Sequence, residues 1–205
     1  MKQAFFITGT DTGIGKTYVA CRLIRQYVAQ GYRVVGMKPV AAGCDLIDGQ
    51  WVNEDVCLLT EASNVDAPLH LVNPYCFRAP IAPHIAAEQE HVDIQLDVIV
   101  QAYQALAELA DIVVVEGAGG LLVPLNAEIT IAELIKALGI PVVFVIGMRL
   151  GCINHALLSL EVMQSRSLLI DSWVANPIDP NMQCYQENMA TLRHKLQGIP
   201  ELQRL

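Results

Sequence analysis

The run Gly9-Thr10-Asp11-Thr12-Gly13-Ile14-Gly15-Lys16-Thr17 concentrates glycines, hydroxyls and one lysine. Between a strand and a helix, such a run can wrap phosphate. Its backbone amides and the positive end of the helix dipole converge on the anion. Gly13 and Gly15 let the backbone approach closely. Lys16 offers a point charge to the β- and γ-phosphates, and the Thr17 hydroxyl can sit on Mg²⁺. Thr12, Gly13, Ile14, Gly15, Lys16 and Thr17 are therefore the candidate nucleotide-binding residues. In the strict pattern a glycine precedes Gly15-Lys16-Thr17 with four residues between; Thr10 stands there, and Gly9 is one residue earlier. A dinucleotide loop would need glycine at position 18, where Tyr18 stands, so that reading is rejected.

Three further side chains could join this chemistry. Glu116 follows the apolar run Ile112–Val115 and precedes glycine. A carboxylate at the end of a buried strand is costly unless it faces a cation or water, so a functional role is favoured from the residues alone. Lys38 ends the second apolar run, just before Pro39. Ligand crevices lie at such strand ends, although a lone strand-end lysine is more often solvated. Asp55, by itself, reads as a first-turn helix acid facing the dipole.

Elements that could position these groups follow from the pattern. Ala4–Thr8, Arg33–Met37, Asp111–Glu116, Pro141–Ile146 and Leu169–Ala175 are nearly continuous in branched and aromatic residues, as strands buried on both faces are. Between them lie helix candidates at Lys16–Gln30, Glu54–Ala62, Leu96–Ala110, Ile131–Leu138, Cys152–Arg166 and Gln183–Leu196. The alternation predicts an α/β fold: a parallel sheet flanked by helices in three layers, with right-handed crossovers. Ala67–Pro83, with four prolines, reads as an irregular insertion of the length that often serves function. Gly117–Gly120 reads as a small-residue turn after its strand, and Asn176 as a turn residue following the last strand.

Composition bounds the function. At 53% hydrophobic residues, 205 positions can fill one domain but not two large ones. The net charge of −8, without a run of Lys or Arg, excludes a nucleic-acid footprint. No apolar stretch is long enough to span a membrane, and the apolar start at Ala4–Ile7 is too short for a signal peptide. The expected location is therefore the cytoplasm. Cys21, Cys44, Cys57, Cys76, Cys152 and Cys184 form no Cys-x-x-Cys pair and are expected as six reduced thiols. His84 and His91 make a poor metal pair across a proline-interrupted segment.

Taken in order, the loop with Lys38-Pro39-Val40-Ala41-Ala42-Gly43, Asn53-Glu54-Asp55, Asn73-Pro74-Tyr75 with Pro83-His84, Val115-Glu116-Gly117-Ala118-Gly119-Gly120, Leu150-Gly151-Cys152-Ile153-Asn154-His155 and Val174-Ala175-Asn176 resembles the dethiobiotin synthetase family. The resemblance covers nearly the whole chain. It implies a P-loop NTPase-like sheet and a single ATP-dependent ligase domain over 1–205. It also implies a reaction in which CO₂ or bicarbonate and 7,8-diaminononanoate close to a cyclic urea with ATP and Mg²⁺. One amine takes up CO₂ as a carbamate, ATP phosphorylates it, and the second amine displaces phosphate. By resemblance, Lys16 and Lys38 are catalytic, and Thr17, Asp55 and Glu116 hold Mg²⁺. Lys38, Ala42, Gly117, Ala118, Gly119 and Asn154 contact substrate, with Asn154 serving a site completed by a second subunit of a homodimer. Glu116, Gly117 and Gly119 also join the nucleotide set, and Asn176 and Pro200 meet adenine.

Three positions depart from the family pattern. Ala42 stands where many members carry a serine that touches substrate. The segment around Tyr185 and Asn188 lacks a clear counterpart of the family's carboxylate-binding tyrosine. The sequence reaches Leu205 soon after Gly198-Ile199-Pro200, where relatives often continue. Two rivals share the loop. Amide-forming ligases of the superfamily usually add a glutaminase domain, for which this chain is too short. ATP-switched partner-positioning ATPases carry a signature lysine near the start of the loop, where this chain has Asp11.

Overall fold

A computed structural model describes residues 3–202. Five parallel strands form the main sheet: β1 (Gln3–Gly9), β2 (Val34–Met37), and three more from the second half of the chain. Naming the intervening elements in chain order, β3 (Val40–Ala42) follows β2, then a hairpin of β4 (Asp45–Ile47) and β5 (Gln50–Val52). A short β6 (Tyr75–Phe77) pairs in parallel with β3. The main sheet is completed by β7 (Ile112–Gly120), β8 (Val142–Met148) and β9 (Ile170–Pro177), in the order β2-β7-β1-β8-β9.

The helices are α1 (Lys16–Ala29), α2 (Glu54–Ala62), α3 (Leu69–Val72), α4 (Pro83–Gln89), α5 (Leu96–Leu109), α6 (Ile131–Leu138), α7 (Cys152–Ser165) and α8 (Tyr185–Lys195). Every residue of β8 is buried, because helices cover both faces of the sheet. One apolar cluster joins α1 and α2 to one face through Val19, Ile24 and Leu59. A larger cluster joins α5, α6, α7 and α8 to the other through Leu106, Leu134, Met163 and Leu192. The three-layer α/β expectation therefore holds. The ends of α6 show how locally written signals set a boundary. Thr130 and Glu133 form a reciprocal capping box, and Gly139 closes the helix at φ 64°.

Several expectations need correction. Ala67–Pro83 is not irregular throughout, since α3 and β6 lie inside it. The backbone of Tyr75–Phe77 finds partners on β3, which a periodicity test on three residues cannot detect. Gly117–Gly120 is not a turn: β7 runs on to Gly120, which pairs with Gly9. Glu116 thus lies within the strand rather than at its end, and Asn176 likewise lies inside β9. The six cysteines are not all free thiols, because Cys44 and Cys76 are joined by a disulfide. The register that sets Ala41 opposite Cys76 brings the two sulfurs together. No helix among the described residues is long and apolar enough to cross a membrane.

Candidate active site

Strand register assembles the site. Met37 lies opposite Val115 and Ile7 opposite Glu116, so Lys38 and the loop after β1 meet Glu116, inside β7, across three neighbouring strands. Gly9 ends β1 and begins the loop. A Cβ there would lie 2.7 Å from the Val145 carbonyl oxygen, which explains glycine at this position rather than at 10. Thr10 instead accepts a hydrogen bond from the Gly147 amide at 3.3 Å. Gly15 has φ 85° and leads directly into α1. A Cβ on it would sit 2.2 Å from Asn176 Nδ2.

A cleft of about 640 Å³ opens over this junction. Thr12, Gly13, Gly15, Lys16 and Thr17 help to line it, as do Lys38, Ala42, Asp55, Glu116, Ala118 and Gly119. The ammonium of Lys16 donates to the Asp11 carbonyl oxygen at 2.6 Å. Burial, with the neighbouring Lys38 cation second, lowers its pKa to about 8 despite the nearby carboxylates.

Lys38 Nζ donates to Glu116 Oε1 at 2.7 Å and to Asp55 Oδ2 at 2.8 Å. Burial disfavours its charge, but the Coulombic pull of Glu116 and Asp55 and their hydrogen bonds outweigh that penalty and raise its pKa. Burial likewise opposes the Asp55 charge, yet Lys38, the Thr17 hydroxyl and Lys16 together lower its pKa. Asp55 also sits in the first turn of α2, where Asn53 caps its amide at 3.0 Å. The helix-acid reading and the site reading thus describe the same residue.

The oxygen atoms here outnumber the protons available to them. Thr17 Oγ1 lies 2.8 Å from Asp55 Oδ1 and 2.9 Å from Glu116 Oε1. One hydroxyl proton serves only one of them at a time. Glu116 Oε2 is buried and has no hydrogen-bond partner. Such an excess of hard acceptors suits Mg²⁺, which uses one or two carboxylates and takes its other ligands from water and phosphate. A complete protein cage is absent: no group of three or more His, Cys, Asp or Glu among the described residues could hold a metal.

Other expected residues are placed differently. The Ile14 side chain is buried, so only its backbone can serve a nucleotide, and its carbonyl accepts from Asn176 Nδ2 at 2.7 Å. Asn176 therefore braces the phosphate loop through the same amide group that was expected to read adenine. Gly117 is buried rather than lining the cleft, and a Cβ on it would strike the Phe6 ring at 2.8 Å. Asn154 is exposed in the first turn of α7 and does not line the cleft. Pro200 is exposed, and its carbonyl oxygen accepts from the Trp173 amide at 2.9 Å, extending the edge of the sheet beside β9. One participant escaped the sequence reading. Arg149 forms an ion pair with Asp11, whose carboxylate also accepts from the Thr12 amide at 2.7 Å. A basic residue directly after a strand was the available signal.

Comparisons with known proteins follow the same lines. The AAA-domain family model matches residues 3–202. ATP-dependent dethiobiotin synthetase BioD of Nitrosospira multiformis is 50% identical over 96% of this chain and 85% of its own length. The protein of the same name from Aromatoleum aromaticum is 48% identical over 95% of this chain and 86% of its own. Among solved structures, a ParA family ATPase from Chlorobium tepidum superposes with a TM-score of 0.56 at 16% identity, covering 98% of this chain and 83% of that one. The Aquifex aeolicus MinC:MinD complex gives 0.56 at 13% identity, covering 97% of this chain and 79% of that one. At those identities the structural likeness speaks for the P-loop fold alone.

Proposed function

The chain belongs to the dethiobiotin synthetase family, and from that premise we propose how a single domain divides the work of ATP-dependent dethiobiotin formation among its residues. The reaction joins CO₂ to the two amines of 7,8-diaminononanoate and closes a cyclic urea. The loop amides from Thr12 to Thr17 and the start of α1 hold the triphosphate, with Lys16 leaving the Asp11 carbonyl to neutralise it. Thr17, Asp55 and Glu116 would hold Mg²⁺, which would supply charge neutralisation to the phosphates.

Lys38 receives the carbamate formed from one amine and CO₂. Carbamate and triphosphate are both anions, so bringing them together requires a cation between them. Lys38 is 7% exposed in its side chain and already carries two carboxylate bonds, so it is held rigidly where charge is transferred. Ala118 and Gly119 supply the cleft wall on the same side. The second amine then displaces phosphate from the carbamic–phosphoric anhydride. The observation that carries this reading is the Lys38–Asp55–Glu116–Thr17 network at the mouth of the phosphate loop.

Asn154 serves the diamine carboxylate in the cleft of a second copy. Its exposure outside its own cleft supports that placement, as does Leu158, which lies one turn further on the same helix face and is 59% exposed. On this reading the assembly is a homodimer. The ligase reading and a cytoplasmic setting go together, since ATP is the driving substrate.

The test is phosphate release with each component omitted in turn. Release should depend on both bicarbonate and the diamine, and Lys38→Leu should lose the coupled rate while still binding ATP. Equal release in every omission would reject this division of labour.

A further inference from the structure

The Cys44–Cys76 bond spans 32 positions, with Cα atoms 6.3 Å apart, and it ties together two segments that help to line the cleft. Ala42, the last residue of β3, lines the cleft, as do Pro80, Ile81 and Pro83 just beyond β6. The two halves are cross-braced. Gly43 donates its amide to the Ala79 carbonyl at 3.1 Å, and Cys44 donates its amide to the Phe77 carbonyl at 3.0 Å. Gly43, at φ 81°, also leaves so little room that a Cβ there would lie 3.0 Å from Pro80. The same wall reaches the site itself. Asn53 Nδ2 donates to the Gly43 carbonyl at 3.0 Å, while Asn53 Oδ1 accepts from the Asp55 amide. A continuous set of contacts thus leads from the disulfide through Gly43 and Asn53 to Asp55 and Lys38.

We infer that Cys44 and Cys76 form a reversible oxidation site, with low-molecular-mass disulfides and thiols as its reactants, whose bonded form preorganises the diamine side of the cleft. The inference rests on assigning that wall to the diamine. Cys76 is half-buried and Cys44 is 4% exposed, so a reagent meets Cys76 first. The Cys76 thiolate attacks the reagent disulfide, forming a mixed disulfide and expelling one reagent thiolate. The Cys44 thiolate then attacks the Cys76 sulfur and expels the second. Two protein thiols are oxidised, one reagent disulfide is reduced to two thiols, and the thiol protons pass to solvent and reagent. Of the four remaining cysteines two compete poorly: Cys21 and Cys152 are buried, and burial pushes the Cys21 thiol up to about 11, whereas Cys57 is half-buried and Cys184 is exposed.

The experiment uses the full chain carrying Cys57→Ser and Cys184→Ser, equilibrated with oxidised or reduced glutathione. Free-thiol titration and intact mass report the bond, and KM is then measured separately for the diamine and for ATP. Oxidation should remove two thiols. Reduction should raise the diamine KM roughly fivefold or more, the lower end of ordinary site-to-site coupling, while the ATP KM and kcat change little. Cys44→Ser/Cys76→Ser in the same background should match the reduced form and ignore the reagent; the oxidised-versus-reduced comparison needs no substitution at the pair. Failure of the bond to form in excess oxidant overturns the inference, as does a bond that moves neither KM. Both results leave the diamine assignment standing. A change in the ATP KM alone would overturn the inference together with the assignment of this wall to the diamine.

Discussion

Replacing Lys38 by Met should expose what the buried charge network costs when it is broken. Lys38 bonds both Glu116 and Asp55, and the Glu116 side chain is 1% exposed with one oxygen already unpartnered. Removing the ammonium leaves the buried Glu116 carboxylate with the Thr17 hydroxyl as its hydrogen-bond partner and the Lys16 charge further off. Breaking a buried pair in this way ordinarily costs about 3–5 kcal/mol. The lower end applies here, because Asp55 is 38% exposed and the open cleft admits water. A loss of about 3 kcal/mol is a large share of a typical domain's stability and should move the urea midpoint down by about 1 M. Lys38→Met/Glu116→Gln should recover much of that loss, since the stranded charge is gone. Mg²⁺ should narrow the gap for Lys38→Met more than for wild type, because a cation held by the two carboxylates relieves the same repulsion. The assays are urea denaturation with and without Mg²⁺, and phosphate release in the complete reaction. Both variants should lose the coupled rate. Refutation would be a Lys38→Met protein as stable as wild type, or a double variant that merely adds the two single losses.

Three more expectations follow from neighbouring residues. The Lys16 pKa of about 8 means that ATP, which needs the cation, should bind with proton uptake near pH 8 and more weakly as pH rises above it; calorimetry in buffers of different ionisation enthalpy measures this, and Lys16→Met should abolish it. Ala42 lines the cleft, so Ala42→Ser restores a hydroxyl worth about 1 kcal/mol net and should lower the diamine KM severalfold with little change for ATP, as steady-state kinetics would report. Gly15→Ala places a Cβ on Asn176 Nδ2 at φ 85°, which should displace the brace on the Ile14 carbonyl; ATP affinity should fall more than for Asn176→Ala, and equal affinities would refute the steric account.

Much of the molecule was legible along the chain because its signals are local. The buried strands announced themselves as unbroken apolar runs, and all five stand where expected to within a few residues. The phosphate loop was legible too, since glycines, lysine and threonine must be contiguous to wrap one anion. Glu116 could be singled out because an isolated carboxylate in an apolar run has few inexpensive explanations. What remained hidden depends on parallel register, which no short window contains. Lys38 and Glu116 are 78 positions apart and become partners only because Met37 pairs with Val115. The Arg149–Asp11 pair and the Asn176 brace join residues 138 and 162 positions apart. The Cys44–Cys76 bond has the same origin, a three-residue parallel pair that sequence periodicity is too short to reveal. The sequence by itself therefore determined the five strands of the main sheet, the six longer helices and the glycine-rich loop, each written in neighbouring residues. The tertiary structure decided which charges neutralise one another and which wall is cross-linked, because those energies depend on distances that the sheet alone sets.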